Sequence, residues 1–272
     1  MLNKILKKLF YTIKKTLSTI LYLLYYKWVN NDRFILLYHS ISQNKKDKAG
    51  LCIPLKVFKP QIEYLKKNYK IIPLSEFLQN KKGIAITFDD GYKDNYQAFQ
   101  LLKKLNVPAT IFISAEYVGK KVIYPSDKNN PNAWKRKHLN LNEIIKMSKS
   151  GLIEIGSHCL RDVKLTELSE EEALYQIMMS KRKIENMINK KVIYFSYPHG
   201  KFNKKIKNMV KIAGYKLACT TIYGNNKIIK DPYELKRVGI YSSDNSLFEF
   251  KKKLSGAYNF MNLIQKFRDL YG

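Results

Sequence analysis

The sequence predicts an α/β fold built on parallel strands, arranged as a sheet or a barrel, and three observations carry that prediction. From residue 34 onward, short apolar runs alternate with longer segments of helical periodicity. Unusual polar residues recur where the apolar runs end, at His39, Asp89, Asp90, His158 and Pro198-His199-Gly200. The chain has 272 residues, 45% of them apolar, which suits one large core better than two.

Taken in order, residues 1–33 stand apart as an N-terminal extension, and 34–272 form the main domain. Leu2, Ile5, Leu6, Leu9, Phe10, Ile13, Leu17, Ile20 and Leu24 recur at three- and four-residue steps, with Lys4, Lys7, Lys8, Lys14 and Lys15 on the other face. That pattern is a basic amphipathic helix. Its longest uncharged stretch, 16–26, falls short of the roughly 18–20 residues that cross a bilayer, and no small-residue cleavage site follows. One reading is an interfacial anchor in which residues 1–27 meet an anionic membrane surface, leaving the side of the membrane open. The others are a helix packed on the barrel and an uncleaved signal-like segment.

Strands are predicted at 34–38, 84–88, 109–113, 152–155, 192–197, 216–219 and 235–240. Helices are predicted at 58–68, 94–105, 141–150, 169–189, 204–213 and 246–254. The fourth of these opens with Ser169 and Glu172 spaced as a capping box. Residues 120–138, with Pro125, Asn129, Asn130 and Pro131, read as a long loop of the kind that often carries function. There is no internal repeat. In a parallel α/β fold the carboxyl ends of the strands share one face, so the polar residues that follow them converge on one cleft.

Charge and cysteine content narrow the partners. The formal charge of +28, from 50 basic against 22 acidic residues, raises nucleic acid, anionic membrane or acidic glycan. The excess is mostly Lys, whereas the planar fork that reads bases and phosphates is confined to a few positions such as Arg33, Arg136, Arg161 and Arg237. A solvated Lys-rich surface fits better, and no nucleic acid is expected. Cys52, Cys159 and Cys219 are odd in number and far apart, with no CxxC, so they suggest neither a disulfide framework nor a thiolate zinc site.

Three motifs carry chemistry. In Ile84-Ala85-Ile86-Thr87-Phe88-Asp89-Asp90-Gly91-Tyr92, adjacent carboxylates at a strand end point in different directions. One can ligate a cation while the other takes a proton, and Gly91 allows the sharp turn that follows. The bland alternative is a solvated Asp-Asp-Gly turn. In Gly156-Ser157-His158-Cys159-Leu160-Arg161-Asp162, His158 and Asp162 are four apart, so on a helical turn they share a face and can reach one metal. A lone core histidine is the competing reading. In Phe195-Ser196-Tyr197-Pro198-His199-Gly200, Pro198 fixes the backbone and Gly200 frees it, which makes a rigid turn whose N–H groups can point into the cleft.

In order and spacing, Tyr38-His39-Ser40-Ile41, Thr87-Phe88-Asp89-Asp90-Gly91, Gly156-Ser157-His158 and Tyr197-Pro198-His199-Gly200 resemble the polysaccharide deacetylases of the NodB-homology type, carbohydrate esterase family 4. The resemblance covers about residues 34–256 and is similar to the permuted branch that begins with a Tyr-His strand. It implies a distorted (β/α)7-type barrel holding a divalent metal, zinc first, with cobalt, manganese or nickel as alternatives. By this resemblance Asp89 is the base, and Asp90 and His158 are metal ligands. The third ligand position falls on Asp162, where the family has His. The acid role passes to His39, because no His follows His199. Tyr197, Pro198 and His199 occupy the oxyanion and substrate-binding motif, with His199 replacing the family's Tyr, and position 196 is a small Ser. Arg237 lies on a late strand that lines the cleft, where it contacts substrate, orients Asp89 or sits at the surface.

The implied activity is metal-dependent removal of N-acetyl groups from an amino sugar of a glycan, lipid-linked sugar or polysaccharide at the cell envelope, with release of acetate. The Asp at position 162 keeps a rival open, a glycan-binding barrel that has lost metal competence. A basic nucleic-acid-binding protein is the more distant alternative.

Overall fold

A computed structural model of the chain describes residues 2–25, 33–43, 47, 50–125 and 135–258. Residues 126–134 of the predicted loop, including Asn129, Asn130 and Pro131, lie outside the described residues, as do 26–32, the C-terminal 259–272 and the side chains of residues 2–11.

Seven parallel strands close into a barrel: β1 (Arg33–Tyr38), β2 (Gly83–Phe88), β3 (Ala109–Ile113), β6 (Ile153–Ser157), β7 (Tyr194–Ser196), β8 (Leu217–Tyr223) and β9 (Leu235–Gly239), with β9 returning to β1. Such closure leaves no open edge. Most strands carry near-continuous apolar sequence because both faces are covered, one by helices and the other by the barrel's own interior. The outer helices α2 (Leu55–Asn68), α3 (Asn95–Leu105), α4 (Leu141–Ser148), α5 (Glu170–Ile188), α6 (Lys204–Ile212) and α7 (Leu247–Leu254) pack one large apolar layer against the sheet. A second cluster, including Ile35, Ala85, Phe112, Leu217 and Leu235, fills the inside. The predicted barrel is therefore the observed one.

Element boundaries differ for identifiable reasons. β6 runs to Ser157, so His158 leaves the strand directly. β7 is only Tyr194–Ser196, since Tyr197 already leads into the turn at Pro198. β8 continues to Tyr223, past the predicted end at 219, with an irregular register against β9. The Ser169–Glu172 cap has one half of the predicted box: Ser169 Oγ accepts from the Glu172 N–H, while the Glu172 carboxylate takes Gln176. The reciprocal box forms at Asn140 and Glu143, opening α4. Within the predicted loop 120–138, β4 (Lys121–Val122) pairs antiparallel with β5 (Arg136–Lys137).

Helix α1 (Leu2–Tyr25) sits against α7. Lys252, fully buried, donates to Thr19 Oγ1 at 2.9 Å and pairs with Glu249 at 2.9 Å, while the Tyr22 ring meets Phe248 edge-on at 5.5 Å. Among the described residues no helix is long and apolar enough to cross a membrane.

Candidate active site

The register of β1 on β2 is unbroken from Arg33–Gly83 to Tyr38–Phe88, so His39 and Asp89 emerge side by side, with the Asp89 N–H on the Tyr38 carbonyl at 3.0 Å. Alternation along β2 turns Thr87 and Asp89 to the same side. Arg237, on β9, reaches both. It is 1% exposed and forms a two-pronged pair with Asp89, Nη1 to Oδ1 at 2.8 Å and Nη2 to Oδ2 at 2.7 Å. Its Nε donates to the Thr220 carbonyl at 2.8 Å and its Nη2 to Ser196 Oγ at 2.9 Å, and Ser196 in turn donates to Asp89 Oδ2 at 3.0 Å. Of the readings open for Arg237, orienting Asp89 is the one observed; it is not a surface residue.

Burial alone would raise the Asp89 pKa, but the Arg237 guanidinium overrides it and holds the carboxyl down at about 2. Asp89 is therefore ionised across the neutral range. Oδ2 accepts from Arg237 and Ser196, and Oδ1 accepts from Arg237.

Asp90 lies in the left-handed region at φ 74° and Gly91 follows at φ 69°, which swings the second carboxylate away from the first. A side chain at position 91 would meet Ile113 Cγ2 at 2.7 Å, so the turn needs glycine for space as well as conformation. Asp90 Oδ1 lies 3.5 Å from His158 Nε2. His158 Nδ1 is fixed on the Ser196 carbonyl at 2.9 Å, which presents Nε2 to the cleft as a ligand nitrogen should be presented.

Donor atoms of Asp90, His158 and Asp162 all lie within 4.8 Å of one another, and all three residues are buried. The grouping predicted from spacing is observed, but its local reason is not. Residues 158–162 form no helical turn: Cys159 sits at φ 64°, and the segment runs alongside the end of β3, with Ala115 N–H on the Cys159 carbonyl and Glu116 N–H on that of Leu160. Burial first, and then the neighbouring Asp162 carboxylate, push Asp90 up to about 7. Two buried carboxylates and one oriented imidazole make an oxygen- and nitrogen-rich set with excess negative charge, and a divalent cation such as zinc fits it.

His39 is half-buried; its ring stacks at 6.4 Å on Tyr241, and its carbonyl accepts from Asn95 Nδ2 at 2.7 Å. Burial lowers its pKa to about 4 against the pull of Asp89, so the ring is neutral near pH 7. Tyr241 is held by residues that no motif flagged: its N–H is on Asp244 Oδ2 at 2.7 Å, and Lys253 binds the same carboxylate while lying over the Tyr241 ring.

Tyr197 is buried, stacks on Phe202 at 4.8 Å and donates its hydroxyl to the Tyr233 carbonyl at 3.1 Å. Pro198 is buried as well. His199 stands at φ 56° in the tight turn, with its Nε2 3.4 Å from Asp162 Oδ1. Sequence reading also missed an aromatic wall of Tyr92, Tyr117 and Tyr124 with His138, brought together by the β4–β5 pairing, in which Tyr124 Oη and His138 Nε2 are 2.9 Å apart. The three cysteines are buried and free.

A seven-stranded parallel barrel with this cluster at the strand carboxyl ends is the (β/α)7 barrel of NodB type. The sequence profile described as polysaccharide deacetylase matches residues 78–218. YxkH of Bacillus subtilis (strain 168), assigned to the polysaccharide deacetylases, is 31% identical across 76% of this chain and 70% of its own. The poly-beta-1,6-N-acetyl-D-glucosamine N-deacetylase of Staphylococcus aureus (strain N315) is 27% identical across 70% of this chain and 72% of its own. Among solved structures, the polysaccharide deacetylase BC0361 from Bacillus cereus superposes with a TM-score of 0.68 at 26% identity, over 81% of this chain and 68% of that one. IcaB from Ammonifex degensii shares the fold, with a TM-score of 0.69 at 20% identity, over 82% and 97% of the two chains. The chain belongs to the polysaccharide deacetylase family. It is accordingly an enzyme of the N-deacetylase class.

Proposed function

We propose that the chain hydrolyses N-acetyl groups from the amino sugars of a β-linked N-acetylglucosamine glycan or glycolipid in a metal-dependent reaction. The observation that carries this reading is the convergence of Asp90, His158 and Asp162 beside an Asp89 locked by Arg237. The activity of the Staphylococcus aureus relatives on poly-beta-1,6-N-acetyl-D-glucosamine makes a β-1,6-linked oligomer the first substrate to test.

A divalent cation held by Asp90, His158 and Asp162 would supply Lewis acidity and an acidified water. Asp89 is the proton acceptor, through Oδ1, and Arg237 keeps it ionised and aimed. The backbone N–H at His199 is the donor for the acetyl oxygen as negative charge develops there. His39 protonates the departing amine. Burial keeps it neutral in the resting site, so the proton it donates is the one that Asp89 takes from the attacking water, passed on during turnover.

The test is acetate release from N-acetylated glucosamine oligomers by chelator-treated protein, with and without added zinc or cobalt. Zinc-restored release supports the reading; a protein that binds the divalent ion yet releases no acetate from any such oligomer contradicts it.

We further propose that α1 is an interfacial anchor on an anionic membrane. Ile13, Leu17, Ile20 and Leu24 form an exposed apolar stripe on α1 although the helix is docked on α7, and the net charge of +28 favours an anionic lipid surface.

A further inference from the structure

His39 and Tyr241 leave the barrel side by side. Leu36 pairs with Val238 and Leu37 with Gly239, and the Ile240 N–H continues the ladder onto the Leu37 carbonyl at 2.9 Å. Ile35 and Leu235 fill the inside of the barrel, so alternation keeps His39 and Tyr241 on that inner side, with Asp89 on the other flank of His39. The two rings are 6.4 Å apart and 28° from parallel, within the range at which aromatic pairs interact. Gly239 makes the room: a β-carbon there would meet Tyr241 Oη at 2.6 Å, so the ring folds back over the glycine. Tyr241 is also braced from behind. Its N–H donates to Asp244 Oδ2 at 2.7 Å, and the Asp244 N–H returns to the Tyr241 carbonyl at 2.8 Å. Lys253 donates to that carboxylate and to the Gly239 carbonyl, both at 2.5 Å, with its ammonium 4.9 Å from the ring centroid. Gln61 links the Asp244 carbonyl to the Tyr38 hydroxyl, at 3.2 and 3.0 Å, so the brace ends on the residue that precedes His39.

The imidazole itself lacks such a brace. Among the described residues, Nδ1 of His39 is buried with no hydrogen-bond partner, whereas Nδ1 of His158 is fixed on the Ser196 carbonyl. A hydrogen bond at the nitrogen away from the chemistry is the usual means of setting an imidazole's orientation. At His39 the face of Tyr241 stands in that place. We propose that Tyr241 is a positioning residue for His39, its braced ring holding the imidazole in the plane that aims Nε2 at the departing amine. It acts through the imidazole rather than on the substrate. A general acid contributes about 100–10,000-fold only while it stays within hydrogen-bond reach of the accepting atom, and a displacement of about 1 Å can cost about 100-fold. The inference rests on the acid role proposed above for His39.

The experiment is a double-mutant cycle on the full, zinc-loaded chain, with kcat and KM read from acetate release on a β-1,6-linked N-acetylglucosamine oligomer and the zinc dissociation constant measured alongside. The variants are Tyr241→Leu, which fills the space without a ring face, Tyr241→Phe, which keeps the face, His39→Ala, and Tyr241→Leu combined with His39→Ala. Tyr241→Leu is expected to lower kcat by about 10–100-fold, with KM and zinc affinity within about threefold of wild type. Tyr241→Phe is expected to restore kcat to within about threefold. In the His39→Ala background, Tyr241→Leu is expected to cost less than about threefold, because the group it positions is gone. A Tyr241→Leu enzyme with wild-type kcat, an equal loss in both backgrounds, or a variant that no longer holds zinc overturns the positioning role. His39→Ala with turnover near wild type overturns instead the acid assignment on which the role rests, and wild-type protein that releases no acetate overturns the deacetylase reading.

Discussion

Arg237 and Asp89, separated by 148 residues in the chain, share two parallel N–H···O bonds of 2.8 and 2.7 Å inside the barrel. Both ions are almost wholly removed from water, so each depends on the other. Removing one partner leaves an uncompensated buried charge, which costs about 3–5 kcal/mol, whereas the pair itself is no strong source of stability. Arg237→Met should lower the urea midpoint by an amount of that order, and Arg237→Lys, which keeps the charge but loses the fork, should fall between the two. An unchanged midpoint in Arg237→Met would mean that Asp89 is not held as an ion.

Asp89→Asn keeps the shape of the side chain and removes its proton-accepting capacity. Turnover should drop by about 100-fold or more, as for loss of a general base, while zinc content stays at the wild-type level. Acetate release and elemental analysis on the same sample separate the two effects. Turnover near wild type would remove Asp89 from the role of base.

Asp162→His exchanges a carboxylate for a neutral imidazole in the buried trio. With less negative charge on the ligand set, zinc should be retained and a bound water should be more acidic, so activity with zinc should hold or rise. Loss of zinc from this variant would show that an imidazole cannot replace the carboxylate at position 162.

Much of this architecture is legible in the chain, and the illegible parts share a cause. Strands β1, β2 and β3 announce themselves because a parallel strand covered on both faces is apolar almost throughout. Lys121–Val122 and Arg136–Lys137 could not, since two-residue strands rich in charge carry no alternation. Asp89, Asp90 and His158 stand out as polar residues at strand ends. The partner of Asp89 is not legible in the chain because barrel closure, through the pairing of Leu36 with Val238, determines which way Arg237 points. The same limit applies to Asp162: helical spacing pairs it with His158, but the left-handed Cys159 and the rail along β3, not a helical turn, bring the two side chains together.

His138 gives the fold a defined sensitivity to acid. Burial lowers its pKa from 6.5 to about 4, so the unfolded chain binds this proton more readily than the native one. A depressed native pKa means that the stabilisation is present above about pH 6.5 and is lost as pH falls through the window down to about 4. The shift corresponds to roughly 3 kcal/mol at most. Urea midpoints should therefore decline across that window in wild type. His138→Gln should be less stable near pH 7 and show a flatter profile; parallel profiles would assign the acid sensitivity elsewhere.

Helix α1 presents two faces with different solvents. Lys15, Thr19 and Tyr22 are turned to α7, where Lys15 lies 3.4 Å from Glu249 and the buried Lys252 caps the contact. Ile13, Leu17, Ile20 and Leu24 follow at steps of four, three and four, so they line one stripe, and all four are exposed. Docking through the polar face is the reverse of what a helix does when the barrel is its only apolar partner, since it leaves the apolar stripe to water. A lipid interface resolves that cost, each such side chain contributing up to about 1.5–3 kcal/mol on full burial. Replacing the four by Ser should abolish co-sedimentation with vesicles containing anionic lipid while leaving acetate release from a soluble oligomer near wild type. Wild-type binding should also weaken with salt and on neutral vesicles, because the attraction of a Lys-rich surface is screened beyond about 10 Å at 0.1 M salt. If the four-Ser variant sediments with vesicles as well as wild type does, the stripe is not what holds the protein to the bilayer.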